Sequence, residues 1–199
     1  MTDDRPTKGR DYTRRLARLE GARWKRTLGV QRLYRNHLRR LRLGFVLDVG
    51  CGIGRNLLHL DGYGVGVDHN ADSVAAARER GVEAYTSEDF QRSDHARARR
   101  FESLLCAHVL EHMTTQQGID LISTYLPFIS ERGRVALITP QEAGFRSDST
   151  HVEFVDDDAL SDVIARLGLI KQKSYSFPFP RPAGGFFKYN EFVAIASVG

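Results

Sequence analysis

The 199 residues are 41% hydrophobic and 27% charged, which suits one compact domain with a real core. The only cysteines, Cys51 and Cys106, are too few for a disulfide framework and lack metal-ligand spacing. No stretch approaches a membrane span and the start MTDDRPTKGRDYTRR is too charged for a signal peptide, so a cytoplasmic, reducing setting is expected.

The net charge of +4 is unevenly spread. Residues 1–42 hold 14 Lys and Arg against 4 acids, so this arm carries +10 and the remaining residues −6. Such an arm suits a nucleic-acid or anionic partner, or a solvated helical face. Few aromatics interleave its charges, which weakens the case for a stacking platform on single strands. Val30, Leu33, Tyr34, Leu38 and Leu41 recur at helical spacing. They predict one or two amphipathic helices between about residues 14 and 42, packing an apolar stripe on a domain that spans 43–199.

From Phe45 the chain alternates. FVLDV reads as a buried strand, RNLLHL as a helix, YGVGVD as a strand, and ADSVAAARERG as a helix ended by Gly81. VEAYT and ESLLCA are strands, GIDLISTYLPFI a helix, RVALIT a strand, and DDDALSDVIARLG a helix ending at Gly168. IKQKSYSF and YNEFVAIAS are the last strands, joined without a helix, so they should pair antiparallel at one edge. The expected fold is α/β: a doubly wound, Rossmann-like seven-stranded sheet with an antiparallel last strand, plus N-terminal helices. Ligands in such sheets lie at the carboxyl ends of the strands, where strand order reverses.

That places the loop in VLDVGCGIGRNLL at the centre of any site. Gly50, Gly52 and Gly54 are spaced by two, and Arg55 stands where the dinucleotide fingerprint needs its third glycine. Asp48, just ahead, would repel a pyrophosphate but not a cationic or hydroxyl-bearing ligand. The phosphate-cradling G-x-x-x-x-G-K-[ST] is absent. Asp68, at the end of GVGVD, can accept both hydroxyls of a ribose.

DVGCGIGR, then GVDHN, then the HVLEHM after ESLLCA resemble class I S-adenosylmethionine-dependent methyltransferases, of the type 11/12 or ubiquinone-biosynthesis-like group. The resemblance runs from about Phe45 to the end. It implies that Gly50 and Gly52, with Asp48 and Cys51 in the same loop, approach the methionyl part and ribose of S-adenosyl-L-methionine. It places Asp68 on the ribose and His69 beside the adenine. Glu88 or Asp89 would accept from the adenine amino group, Phe90 would cover the ring, and Ala107 and His108 would line the floor under the sulfonium. YTSEDF departs from the family's usual Gly-Asp, so the choice between the two acids stays open.

An alcohol acceptor must lose its proton, to a base or through a metal. His108, Glu111 and His112 fall at i, i+3 and i+4, one face if a helical turn begins at the strand end. His151, in SDSTHVEF, should arrive at the same end of the sheet. This run resembles the metal-binding arrangement of small-RNA 2′-O-methyltransferases and, more loosely, of ubiquinone-biosynthesis O-methyltransferases, although His108 stands where those have an acid. Three imidazoles and one carboxylate would suit zinc, manganese or iron better than magnesium. The alternatives are His151 as general base or substrate ligand, and a Leu-Glu-His turn that only braces a helix start. Further acceptor contacts are expected from Gln141, Glu142, Arg146 and Asp148, and from Arg181, Tyr189 and Asn190 in an aromatic, Pro-rich hairpin. The expected function is methylation, on oxygen, of a small hydroxylated metabolite, sugar or natural product. The alternative is an RNA methyltransferase using the basic arm, although no Asn/Asp-Pro-Pro-aromatic motif follows the fourth strand.

Overall fold

The structure is a computed structural model that describes residues 29–199. The expected helices between about residues 14 and 28 lie outside the described residues. Helix α1 is Val30–Arg40. Its buried positions are Tyr34, His37 and Leu38, with Leu41 just beyond, an i, i+3, i+4, i+7 face. Leu33, expected on that stripe, lies about 100° round the helix from Tyr34 and is 47% exposed. His37 takes part in its place, stacked on Phe177 at 3.8 Å between ring centres and bonded to the Tyr175 hydroxyl at 2.8 Å.

Seven strands follow: β1 (Val46–Val49), β2 (Gly64–Asp68), β3 (Ala84–Thr86), β4 (Phe101–Ala107), β5 (Ile129–Pro140), β6 (Ile170–Phe177) and β7 (Glu191–Ser197). They form one sheet in the order β3-β2-β1-β4-β5-β7-β6. β1 to β5 pair in parallel, while β7 runs antiparallel to both β5 and β6. β7 is thus inserted inside the edge, and β6 is the outer strand. Its Lys171 and Lys173 are exposed, as suits an edge that must not pair with another chain.

Between the strands lie α2 (Arg55–His59), α3 (Ala71–Glu79), α4 (Ser87–Arg92), α5 (Thr115–Tyr125), α6 (Glu142–Phe145) and α7 (Asp157–Arg166). Local chemistry sets their starts: Asn70 caps α3, Thr114 and Gln117 form a capping box on α5, and Asp156 caps α7. Gly81 and Gly168 follow α3 and α7 with φ +80° and +67°, the stop signals expected of them. Each face of the sheet is covered. Leu47, Val49, Leu104 and Leu137 meet Ile119 and Ile122 of α5 and Leu160 and Ile164 of α7. On the other face Val46, Leu105 and Ala136 meet Tyr34 and Leu38 of α1, Leu57 of α2 and Val74 and Ala77 of α3.

This double layer leaves a crevice where strand order reverses between β1 and β4, the usual ligand position in such sheets. Among the described residues, no helix is long and apolar enough to cross a membrane.

Candidate active site

The cofactor side is built from the turns after β1 and β2. Gly50, Gly52 and Gly54 have φ +75°, +53° and +76°, so the loop winds through conformations that L side chains disfavour. The amides of Gly50 and Cys51 both donate to Val67 O, fastening the loop to β2. A Cβ on Gly50 would stand 2.3 Å from Cγ2 of Val109, so the first glycine is required by the close approach of β4's end. Asp68 ties the two turns together. Its Oδ2 accepts from Gly52 N and its Oδ1 from Asn70 N, each at 2.8 Å. His69 stands beside it, Nδ1 3.4 Å from Oδ1, partly open to solvent.

Asp48, near the end of β1, and Cys51, in the loop, are both buried. Asp48 is fully buried, accepts from Asn56 Nδ2 and leaves Oδ2 without a hydrogen bond. Burial pushes its carboxyl up to about 7. Charged at neutral pH it costs stability, and the cost disappears as pH falls toward the ordinary carboxylate range near 4. Asp48→Asn is therefore expected to stabilise the protein on the order of 2 kcal/mol at pH 8 and little at pH 4. Thermal midpoints at the two pH values, without ligand, check this; an equal shift at both would refute it. Cys51 is also buried, and its Sγ sits where a Cβ on Gly66 would need to be, 2.6 Å away. Its thiol is raised well above its ordinary range by burial and by Asp48 and Asp68. As a side chain it packs the loop on β2.

At the position expected for the adenine, helix α4 follows β3. Glu88 and Asp89 lie exposed in its first turn. Glu88 holds Arg92 at 2.6 Å, whereas the Asp89 carboxylate has no partner among the described residues. Phe90 corrects the expectation of a ring over adenine. It is fully buried against Phe101, Tyr125 and Phe128, because the helical turn rotates it into the core.

At the end of β4, Ala107 is buried and His108 leaves the strand at φ +60°, a left-handed conformation rare outside glycine. No helical turn begins there. The turn that does form, a 3₁₀ segment at Leu110–His112, starts two residues later, so His108 does not share a face with His112 as expected. Instead its Nε2 meets Glu191 Oε1 at 2.8 Å and its Nδ1 lies 3.5 Å from Glu111 Oε1. Burial would lower its pKa, but Glu191 and Glu111 together outweigh burial and raise it to about 9. The Tyr34 ring lies 6.4 Å from the His108 ring, so α1 reaches over this side of the crevice.

Glu111, His112 and His151 do come together, with one ligand atom each inside 4.8 Å of one another. Backbone bonds from Val152 N and Glu153 N to Glu111 O bring the loop back to this turn. His112 Nδ1 donates to Thr150 O at 3.1 Å and His151 Nδ1 to Phe145 O at 2.7 Å. In that tautomer each ring offers the Nε2 lone pair. Burial lowers the His112 pKa, which keeps that ring neutral. Glu111 is buried with neither oxygen in a hydrogen bond.

Several expected acceptor contacts are used internally. Gln141 and Asn190 are fully buried and bonded to each other, and both brace the chain around the β6–β7 connection. Glu142 pairs with Arg181, and Arg146 donates to Gly185 O. These side chains shape the wall and do not line it with free polar groups.

Residues 46–130 match the family model described as a methyltransferase domain. The chain carries a methyltransferase domain over that stretch, and its fold is that of S-adenosylmethionine-dependent methyltransferases. It is 25% identical over 153 residues to a tabtoxin biosynthesis enzyme of Pseudomonas amygdali pv. tabaci, covering 70% of this chain and spanning 60% of that relative. Its fold matches a S-adenosylmethionine-dependent methyltransferase from Archaeoglobus fulgidus with TM-score 0.66 at 18% identity, over 87% of this chain and 96% of that one. It also matches magnesium protoporphyrin IX methyltransferase from Synechocystis, which holds S-adenosylhomocysteine, with TM-score 0.61 at 16% identity, over 86% and 84%.

Sequence reasoning missed one important residue of this site. Glu191, 6% exposed, stands ahead of the apolar run FVAIA and lies 83 positions from His108. A lone acid at the head of EFVAIAS was the available signal, since a buried carboxylate needs a partner.

Proposed function

We propose that this methyltransferase moves the methyl group of S-adenosyl-L-methionine to a hydroxyl of a small metabolite, sugar or natural-product intermediate, within a catalytic unit spanning 43–199. Gly50, Gly52, Asp68, His69 and Asp89 hold the cofactor, and Asp48 and Cys51 support the loop from behind. The observation that carries the reading is the His108–Glu191 pair at the carboxyl end of β4, beside the floor position expected under the sulfonium.

Methyl transfer is an in-line displacement, so alignment supplies most of the help. An alcohol also needs a proton acceptor. Glu191 holds the Nε2–H of His108, which fixes the ring and leaves Nδ1 to take the hydroxyl proton as the new O–CH₃ bond forms. The sulfonium departs as neutral S-adenosylhomocysteine. The 3.5 Å separation from Glu111 is too long to occupy Nδ1 with a strong hydrogen bond.

A second reading rests on Glu111, His112 and His151, whose one carboxylate and two oriented imidazoles fit a divalent ion of the zinc, manganese or iron type. Such an ion, when bound, would act as a Lewis acid on the acceptor oxygen. A screen of hydroxylated small molecules for S-adenosylhomocysteine release, with and without chelator, tests both. Turnover is expected on an alcohol or phenol. Turnover on amines alone refutes the oxygen reading, and full activity in chelator refutes the metal one.

A further inference from the structure

At the opposite end of the sheet a groove opens between the end of α1, the start of β5 and the outer strand β6. Arg40, Arg42, Arg132, Arg134 and Lys173 line it, from three separate parts of the chain. Among the described residues no Asp or Glu side chain contributes. Some arginines elsewhere pair with acids: Arg39 with Asp61, Arg97 with Asp94, Arg99 with Glu131, Arg166 with Asp162 and Arg181 with Glu142. None of the five groove cations has a carboxylate partner among the described residues. Arg134 instead donates to the carbonyls of Leu41 and Arg42, which fixes the end of α1 to β5. Arg42 and Arg132 both sit at positive φ, 51° and 58°.

We infer that this groove binds the phosphate backbone of a nucleic acid. Five like charges converging without counter-charges favour an anion, and four of the five are guanidiniums, whose planar fork matches phosphate oxygens. Five cations exceed the charge of a single phosphate group, which favours a run of phosphates over one small anion. Arg40 and Arg42 are also the last basic residues of a segment, 1–42, that holds 14 Lys and Arg. Among the described residues no aromatic side chain lines the groove, so the contact rests on phosphates and not on base stacking. From Arg134 to Pro140, β5 rises about 20 Å, so the bound backbone is anchored well away from the methyl-transfer crevice. The inference stands apart from the identity of the methyl acceptor.

The test is fluorescence anisotropy of the full chain with a labelled mixed-sequence RNA and the DNA of the same sequence, across a salt series. Arg42→Glu, Arg132→Glu and Lys173→Glu together are compared with Arg97→Glu, Arg99→Glu and Arg166→Glu, which change net charge equally elsewhere. The groove variant is expected to bind at least tenfold more weakly and to lose about two units of log–log salt slope, with the control near wild type. Loss on both oligonucleotides identifies the shared phosphate backbone, and loss on RNA alone identifies RNA. Thermal midpoints confirm folding, and the corresponding Gln substitutions replace any reversal variant that does not fold. Equal affinity and slope for groove and control variants overturn the inference. So does displacement of RNA by polyglutamate as effective as by unlabelled RNA, which would mean an acidic polypeptide fits as well.

Discussion

Replacing Asp68 with Ala is expected to weaken S-adenosyl-L-methionine binding about 100-fold by titration calorimetry, since hydrogen bonds to a charged group contribute about 1.5–3 kcal/mol each. Two effects combine. The ribose hydroxyls lose their acceptor, and the Gly52 and Asn70 amides lose the carboxylate that fastens the glycine loop to the turn after β2. Asp68→Asn separates them, because a side-chain oxygen remains to hold one amide. It should recover part of the affinity. Unaltered affinity in Asp68→Ala would show that the cofactor does not lie where β1 and β2 end.

His108→Asn is expected to lower kcat by about 10²- to 10⁴-fold with KM for the cofactor little changed, the range for loss of a general base. With its pKa near 9, only about one ring in a hundred is neutral at pH 7. The wild-type rate should therefore climb about tenfold per pH unit and level off near pH 9. Glu191→Gln removes the first of the two carboxylates that raise the His108 pKa, so its rising limb must move to lower pH. A purely structural role for Glu191 would lower activity without moving the limb. The same raised pKa governs folding. The ion pair's stabilisation is present in full below about 6.5 and is lost as pH climbs through 9. Stability profiles of wild type and His108→Asn should converge above that value.

The glycine spacing, Asp68 and the strand–helix alternation were legible because each follows from local rules: φ above zero, an acid at a strand end, and apolar periodicity. The proposed cofactor site is built from the two neighbouring turns after β1 and β2, strands that pair in register. The acceptor side is different. His108 and His112 looked like one helical face, but His108 adopts φ +60° and turns to Glu191. Phe90 was expected to cover the adenine ring, and a short helix rolled it into the core. Gln141 and Asn190 looked like polar handles, and each became the other's buried partner.

Local chemistry in the chain thus determined the seven strands, their alternation with helices, the reversed last strand and the type of ligand the glycine loop can hold. Tertiary structure alone decided which charges meet. β7 inserts between β5 and β6 and so delivers Glu191 to His108, and the end of α1 meets β5 and β6 to gather five cations in one groove. Both depend on contacts between residues far apart in the chain. Periodicity and capping act over a few residues and carry no information about such pairs.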